Sequence, residues 1–169
     1  GKGFSNLFKQ KLSSRMPRVI MGNGISETID KYKNAGEYSL KTALIDLDGK
    51  GELIREGNYS STKVSKRVFH QLTNDDFVYF MVQKMESWFL SQPTILKDYF
   101  KKDFTNIPFD HASKIENPDV ELMEMTHELK FKCYHKVRDG SRLLEKLNLE
   151  QLENTFSDVK ELIKQLNAA

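Results

Sequence analysis

The sequence predicts an α/β domain: a small, mostly parallel sheet flanked by helices, with a helical C-terminal part. Three observations predict it. Short apolar runs rich in β-branched and aromatic residues alternate with stretches of helical periodicity, the pattern of strand–helix–strand units. From residue 84 onward the periodicity is almost wholly helical. The length of 169 residues allows one domain with a real core, spanning residues 1–169.

Taken in order, Phe4, Leu7, Phe8 and Leu12 recur at helical spacing and predict a first helix, ended by Pro17. The segment 18–23, RVIMGN, is short and β-branched and predicts a buried strand, followed by a turn with Gly22 and Gly24. Ile25, Ile29 and Tyr32 predict a helix with Ser26 near its start and Gly36 at its end. LKTALIDLD, 40–48, reads as the next strand, and DFVYFMV, 76–82, as a third. Between them, 49–74 is polar with three glycines. It is expected to be a mobile excursion near the site, with one short helix from Thr62 to Leu72. Pro93 starts a helix holding Ile95, Leu96, Tyr99 and Phe100, and Asn117-Pro118 is a helix opening, Asn as N-cap and Pro first in the helix. Leu143, Leu144 and Leu147, then Leu149, Leu152, Phe156, Val159, Leu162, Ile163 and Leu166, mark the last helices.

Composition excludes several classes. Apolar residues make up 38% and charged residues 30%, a globular rather than disordered balance. No apolar run approaches the roughly 20 residues of a membrane span, so no membrane association is expected. The N-terminus lacks a signal-peptide pattern. One cysteine, Cys133, forms no internal disulfide, which fits a cytoplasmic location. The net charge of +2 gives no general pull toward nucleic acid, so any basic footprint is local.

Four stretches invite a chemical reading. Around Asp46, a calcium loop needs an oxygen ligand at position 5 and Glu at position 12, where Lys50 and Gly57 stand. Gly22-Asn23-Gly24 resembles the opening of a dinucleotide fingerprint, but Glu27 occupies the third-glycine position and would repel a pyrophosphate, so a plain strand-to-helix turn is expected. HKVRDG, 135–140, mimics a kinase catalytic loop with its aspartate, Asp139, one residue late. A strand ending in Asp-x-Asp remains: Asp46 and Asp48 lie two residues apart and share a face at the carboxyl end of an apolar strand, where open α/β sheets place ligands. Adjacent carboxylates repel unless a cation lies between them, and Mg²⁺ takes such oxygen ligands. A solvated Asp-Gly turn explains the pair equally well.

Glu86 stands among Met81, Val82, Met85, Trp88, Phe89 and Leu90, where a carboxylate is costly to bury without a partner. It is either an ion-pair partner of Lys84 or another cation, or a third metal ligand or general base. The segment 129–142 gathers Lys130, Lys132, His135, Lys136, Arg138 and Arg142 with Phe131 and Tyr134 between them, a mixture suited to phosphates and unstacked bases, and also to an ordinary polar helix end. His70, His111 and His127 have no ligand-like spacing and are expected to be structural or exposed.

RMPRVIMG, the strand ending in Asp-x-Asp, MVQKMESWFL, NPD, YHK and the leucine-rich last helix occur in this order over about residues 15–166. Together they resemble a bacterial Toprim-like family of proteins of unknown function, related to nucleases of the overcoming-lysogenization-defect type and encoded beside ABC-type ATPases in phage-defence loci. The resemblance implies a Toprim-like fold and a nuclease dependent on Mg²⁺ (or Mn²⁺). It implies that Asp46, Asp48 and Glu86 hold the metal, and that Glu86, Lys136 and His135 are catalytic. Lys130, Lys132, Arg138 and Arg142 are then expected to meet nucleic acid, and an ABC-type ATPase is the expected partner. Toprim domains also carry a glutamate on a strand ahead of the glycine turn. The sequence opens at that turn, Gly1-Lys2-Gly3, so either this first strand is missing before residue 1 or the site lacks that acid. A non-catalytic binding subunit with a relic acidic site is the alternative.

Overall fold

The computed structural model describes residues 1–12, 16–36, 40–46, 53–56, 59–62, 77–104 and 109–168; the side chains of 53–56, 59–62 and 109–111 lie outside the description. The chain is α/β, with a small sheet and mostly helical content. The strands are β1 (Ala43–Asp46), β2 (Leu53–Glu56), β3 (Tyr59–Thr62) and β4 (Val78–Met81), in the spatial order β1-β4-β3-β2. β1 and β4 run parallel in the register Ala43↔Val78 to Asp46↔Met81. β3 joins β4 in parallel at Tyr59↔Val78, and β2 and β3 form an antiparallel hairpin.

β4 is buried along its whole length, which is why VYFM reads as an unbroken apolar run: both faces of this inner strand are covered. Val78 and Phe80 turn toward the helix α2 (Ile25–Asn34), with Ile29, Tyr32, Ala43 and Ile45. Tyr79 and Met81 turn toward the larger core on the opposite face, which holds Trp88, Phe89, Leu90, Leu122 and Leu152. That core is built by α1 (Lys2–Phe8), α3 (Met85–Leu90), α4 (Pro93–Phe100), α5 (Pro118–Thr126), α6 (Lys136–Leu144), α7 (Leu149–Thr155) and α8 (Ser157–Ala168). Two 3-10 turns, Phe109–Lys114 and His127–Lys132, flank α5.

Long-range polar bonds tie these layers together. Phe80 N–H, one of the backbone donors of β4, donates to Asp158 Oδ2 at 2.7 Å, so the first turn of α8 satisfies the sheet. Gln10 Nε2 donates to Leu147 O at 2.6 Å while its Oε1 accepts from Leu149 N at 2.9 Å. α1 packs on α6 closely enough that a Cβ on Gly3 would lie 2.7 Å from Ser141 O.

Three expectations are corrected. The run 18–23 forms no strand, and Ile20 and Met21 are about half exposed, at 52% and 51%. β-branched residues suit a strand only where a neighbour completes the ladder. The excursion at 49–74 contains the hairpin of β2 and β3, so part of it belongs to the sheet. Its expected helix begins inside β3 at Thr62; the rest, 63–72, lies outside the described residues. The first helix ends at Phe8, well before Pro17, and a turn carries Leu12 back into the core. Asn117 and Pro118 do open α5, although the Asn117 side chain makes no capping bond.

Candidate functional site

The site lies at the carboxyl ends of the two parallel strands. Asp46 is the last residue of β1, and its register partner Met81 is the last of β4. From Met81 the chain turns into α3, whose first N–H, on Met85, donates to Asp46 Oδ1 at 2.9 Å. This bond fixes the Asp46 carboxylate against the start of α3, where the helix leaves donors unsatisfied.

Glu86 follows in the first turn of α3 and is fully buried at 0% exposure. Its Oε1 accepts a 2.6 Å hydrogen bond from the Tyr134 hydroxyl. Its Oε2 has no hydrogen-bond partner among the described residues and lies 3.6 Å from Lys136 Nζ. The same ammonium stands 3.3 Å from Asp46 Oδ2. One cation therefore faces two carboxylates, one at a strand end and one in a helix. Burial works against the charge of Lys136, but the Asp46 and Glu86 carboxylates outweigh it and hold its pKa above the ordinary lysine value. Burial, then the charge of Glu86, push the Tyr134 phenol far above its usual value, so it stays a donor.

Lys136 is aimed by the way α6 begins. His135 is the N-cap, and its ring nitrogen accepts from Arg138 N at 3.4 Å. Asp139 Oδ2 accepts from His135 N at 2.8 Å, closing the turn from inside. Asp139 is itself buried and receives Tyr99 Oη at 2.8 Å and Arg138 Nε at 2.9 Å through Oδ1. Burial raises the Asp139 pKa, yet the bonds from Arg138, His135 N–H and Tyr99 prevail and hold it below the ordinary aspartate value. Arg138 also donates to the carbonyls of Phe131 and Cys133. Asp139 and Tyr134 were not singled out in the sequence for these roles. The spacing His135-x-x-x-Asp139 is one residue longer than a capping box, so no sequence signal marked it.

The structure thus brings together Asp46, Glu86 and Lys136, and adds Tyr134. Asp48 lies outside the described residues, as does His70; the same holds for the His111 side chain. Lys84 pairs with Asp119 at 2.9 Å rather than with Glu86. His135 is exposed beside Lys136, and Arg142 is exposed. Lys130 and Lys132 are exposed on the 3-10 turn after α5. Among the described residues no group of three or more His, Cys, Asp or Glu side chains is placed to hold a metal. Among the described residues Asp46 and Glu86 are the two carboxylates that face one cation, the Lys136 ammonium.

A cavity of about 680 Å³ opens beside Asp46 and Lys136, between α2, β1 and the 17–24 segment. The turn at 22–24 is a helix entry, as expected. Gly24 has φ of +89°, and Glu27 Oε2 accepts from Asn23 N at 2.7 Å. Glu27, also paired with Lys31 at 2.7 Å, fills the place an anion would need.

Residues 4–167 match the family described as Domain of unknown function (DUF4276). The chain belongs to the DUF4276 family. The match takes in Asp46, Glu86, Tyr134 and Lys136 alike, so the whole cluster is part of the DUF4276 domain. No curated protein and no solved structure matches the chain. Among the described residues no helix is long and apolar enough to cross a membrane.

Proposed function

We propose that this DUF4276 chain is a Toprim-like, metal-dependent nuclease that hydrolyses phosphodiester bonds, working as the effector of an ATPase-associated phage-defence system. The observation that supports it most is the single ammonium of Lys136 between Asp46 and Glu86 at the strand ends, 3.3 and 3.6 Å away. Asp46 and Glu86, with Asp48 beside them in sequence, would hold Mg²⁺ (or Mn²⁺). Bound there, the ion would polarise the phosphate and lower the pKa of a water, so that its hydroxide could attack. Lys136 is then free to meet the charge that grows on the phosphate oxygens. Tyr134 keeps the Glu86 carboxylate oriented, and His135, exposed next to Lys136, is placed to orient substrate or exchange a proton.

A second reading has its own support. With Lys136 in place one of the two negative charges is already balanced without a metal, as in a binding subunit that keeps the acidic cluster as a relic. An ABC-type ATPase partner belongs to both readings, and co-expression followed by size-exclusion chromatography tests it. The nuclease reading is tested by incubating the protein with plasmid, RNA and short oligonucleotides with and without Mg²⁺ or Mn²⁺. Metal-dependent cleavage, lowered about a hundredfold or more in Asp46→Asn and Glu86→Gln, is the expected result. No cleavage by the isolated chain or by its complex with the ATPase leaves the binding-subunit reading standing.

A further inference from the structure

We propose that Phe131 is a stacking platform for an unpaired base, and hence that the substrate is single-stranded nucleic acid. Phe131 is 95% exposed, the largest exposure among the big apolar side chains described. A ring so exposed offers its apolar face for a ligand to bury. Its neighbours Lys130 and Lys132 are exposed and have no ion-pair partner among the described residues, while the nearby Glu128 is paired with Lys102 at 2.6 Å. The uncompensated charge around the ring is therefore positive, which complements a phosphate chain rather than an acidic or neutral surface.

The backbone that carries the ring is also tied down. Lys130 adopts φ +49° and ψ −100°, a conformation disfavoured for a residue with a side chain, which persists only where the surroundings impose it. Just after it, Arg138 donates to the carbonyls of Phe131 and Cys133, and Arg138 is anchored in turn on the buried Asp139. Arg138 lies two residues after Lys136 in the first turn of α6, so the platform and the acidic site share one helix start. A duplex has its base faces stacked on one another and offers none to a ring, whereas a single strand does.

The inference rests on the reading of the chain as acting on nucleic acid, and binding separates the two. Fluorescence anisotropy with a labelled oligodeoxynucleotide of about a dozen residues, at fixed low salt and without divalent cation, is the measurement. Its counterparts are the duplex and an abasic strand of equal length. The expected result is tighter binding of the single strand than of the duplex. Phe131→Ala and removal of the bases are each expected to weaken it about tenfold, and Phe131→Trp to preserve it. Because Phe131 is exposed, these variants leave the core intact. Equal binding of abasic and base-bearing strands, an unchanged Phe131→Ala, or a duplex preference overturns the platform. So does a Phe131→Ala that loses the ATPase while binding oligonucleotide normally. Stacking without metal-dependent cleavage would remove the nuclease and leave the platform; cleavage indifferent to Phe131 would do the reverse.

Discussion

The Tyr134 hydroxyl donates to Glu86 Oε1 at 2.6 Å, and both residues are buried. The phenol is the only hydrogen-bond donor to that carboxylate among the described contacts, since Lys136 approaches the other oxygen at 3.6 Å. Tyr134→Phe leaves Glu86 Oε1 buried and unpaired, and is expected to cost about 1–3 kcal/mol. Denaturant unfolding followed by circular dichroism measures this. A variant as stable as the parent would mean that water reaches the carboxylate.

Lys136 and a divalent cation compete for the same two oxygens in the metal reading. Lys136→Met removes the ammonium and is expected to destabilise the protein by roughly 1–3 kcal/mol, less than a fully buried pair because Lys136 is partly solvated. Added Mg²⁺ or Mn²⁺ should then restore part of the lost melting temperature, and shift the variant more than the parent. If neither protein responds to either ion, Asp46 and Glu86 are a structural pair around Lys136.

Asp139 sets the acid limit of stability. Its folded pKa is held below the unfolded value, so its contribution is present above the unfolded aspartate pKa of about 3.9 and is lost as pH falls through the folded value. Asp119, lowered by Lys84 against the effect of its burial, adds in the same direction. Urea midpoints are expected to be flat from neutral pH to about 5 and to drop below about 4. Asp139→Asn should flatten that drop while lowering stability at neutral pH. An unchanged acid limb in Asp139→Asn would place the sensitive carboxylate elsewhere.

Gly3 permits the contact between α1 and α6. A Cβ there would meet Ser141 O at 2.7 Å and Leu144 Cβ at 3.0 Å, backbone and core atoms with little room to give. Gly3→Ala is expected to lower stability by about 1–3 kcal/mol despite a better helix propensity. A thermal melt equal to the parent's would show that the two helices can slide apart.

The strands β1 and β4 were legible because both are covered on two faces or at their alternating positions, which leaves an apolar record in the sequence. The 18–23 run carries similar residues without a pairing partner, and no local signal reports whether a neighbour exists. For the acidic site, Asp46 is placed by the end of its strand and Glu86 by its apolar surroundings, both visible in one dimension. Lys136 came from a basic segment whose members look alike in sequence and behave differently in the fold. Lys136 turns to the acids, Arg138 binds Asp139 and two carbonyls, and Lys130 and Lys132 remain in solvent. Tyr134 likewise left the aromatic series for Glu86, because its burial is decided by a residue 48 positions away in the chain.

The amide of Gln10 is satisfied by Leu147 and Leu149, up to 139 residues downstream. On a ribosome adding some 5–20 residues per second, these partners are made about 7 to 28 seconds after Gln10. Over that interval the apolar face of Phe4, Leu7 and Phe8 has no α6 to rest on. The nascent chain thus holds an uncovered amphipathic segment until its last third is translated, and the native topology closes in a late step joining distant parts. That interval is when a holdase chaperone would find its binding site, and when translation speed has the greatest leverage on yield.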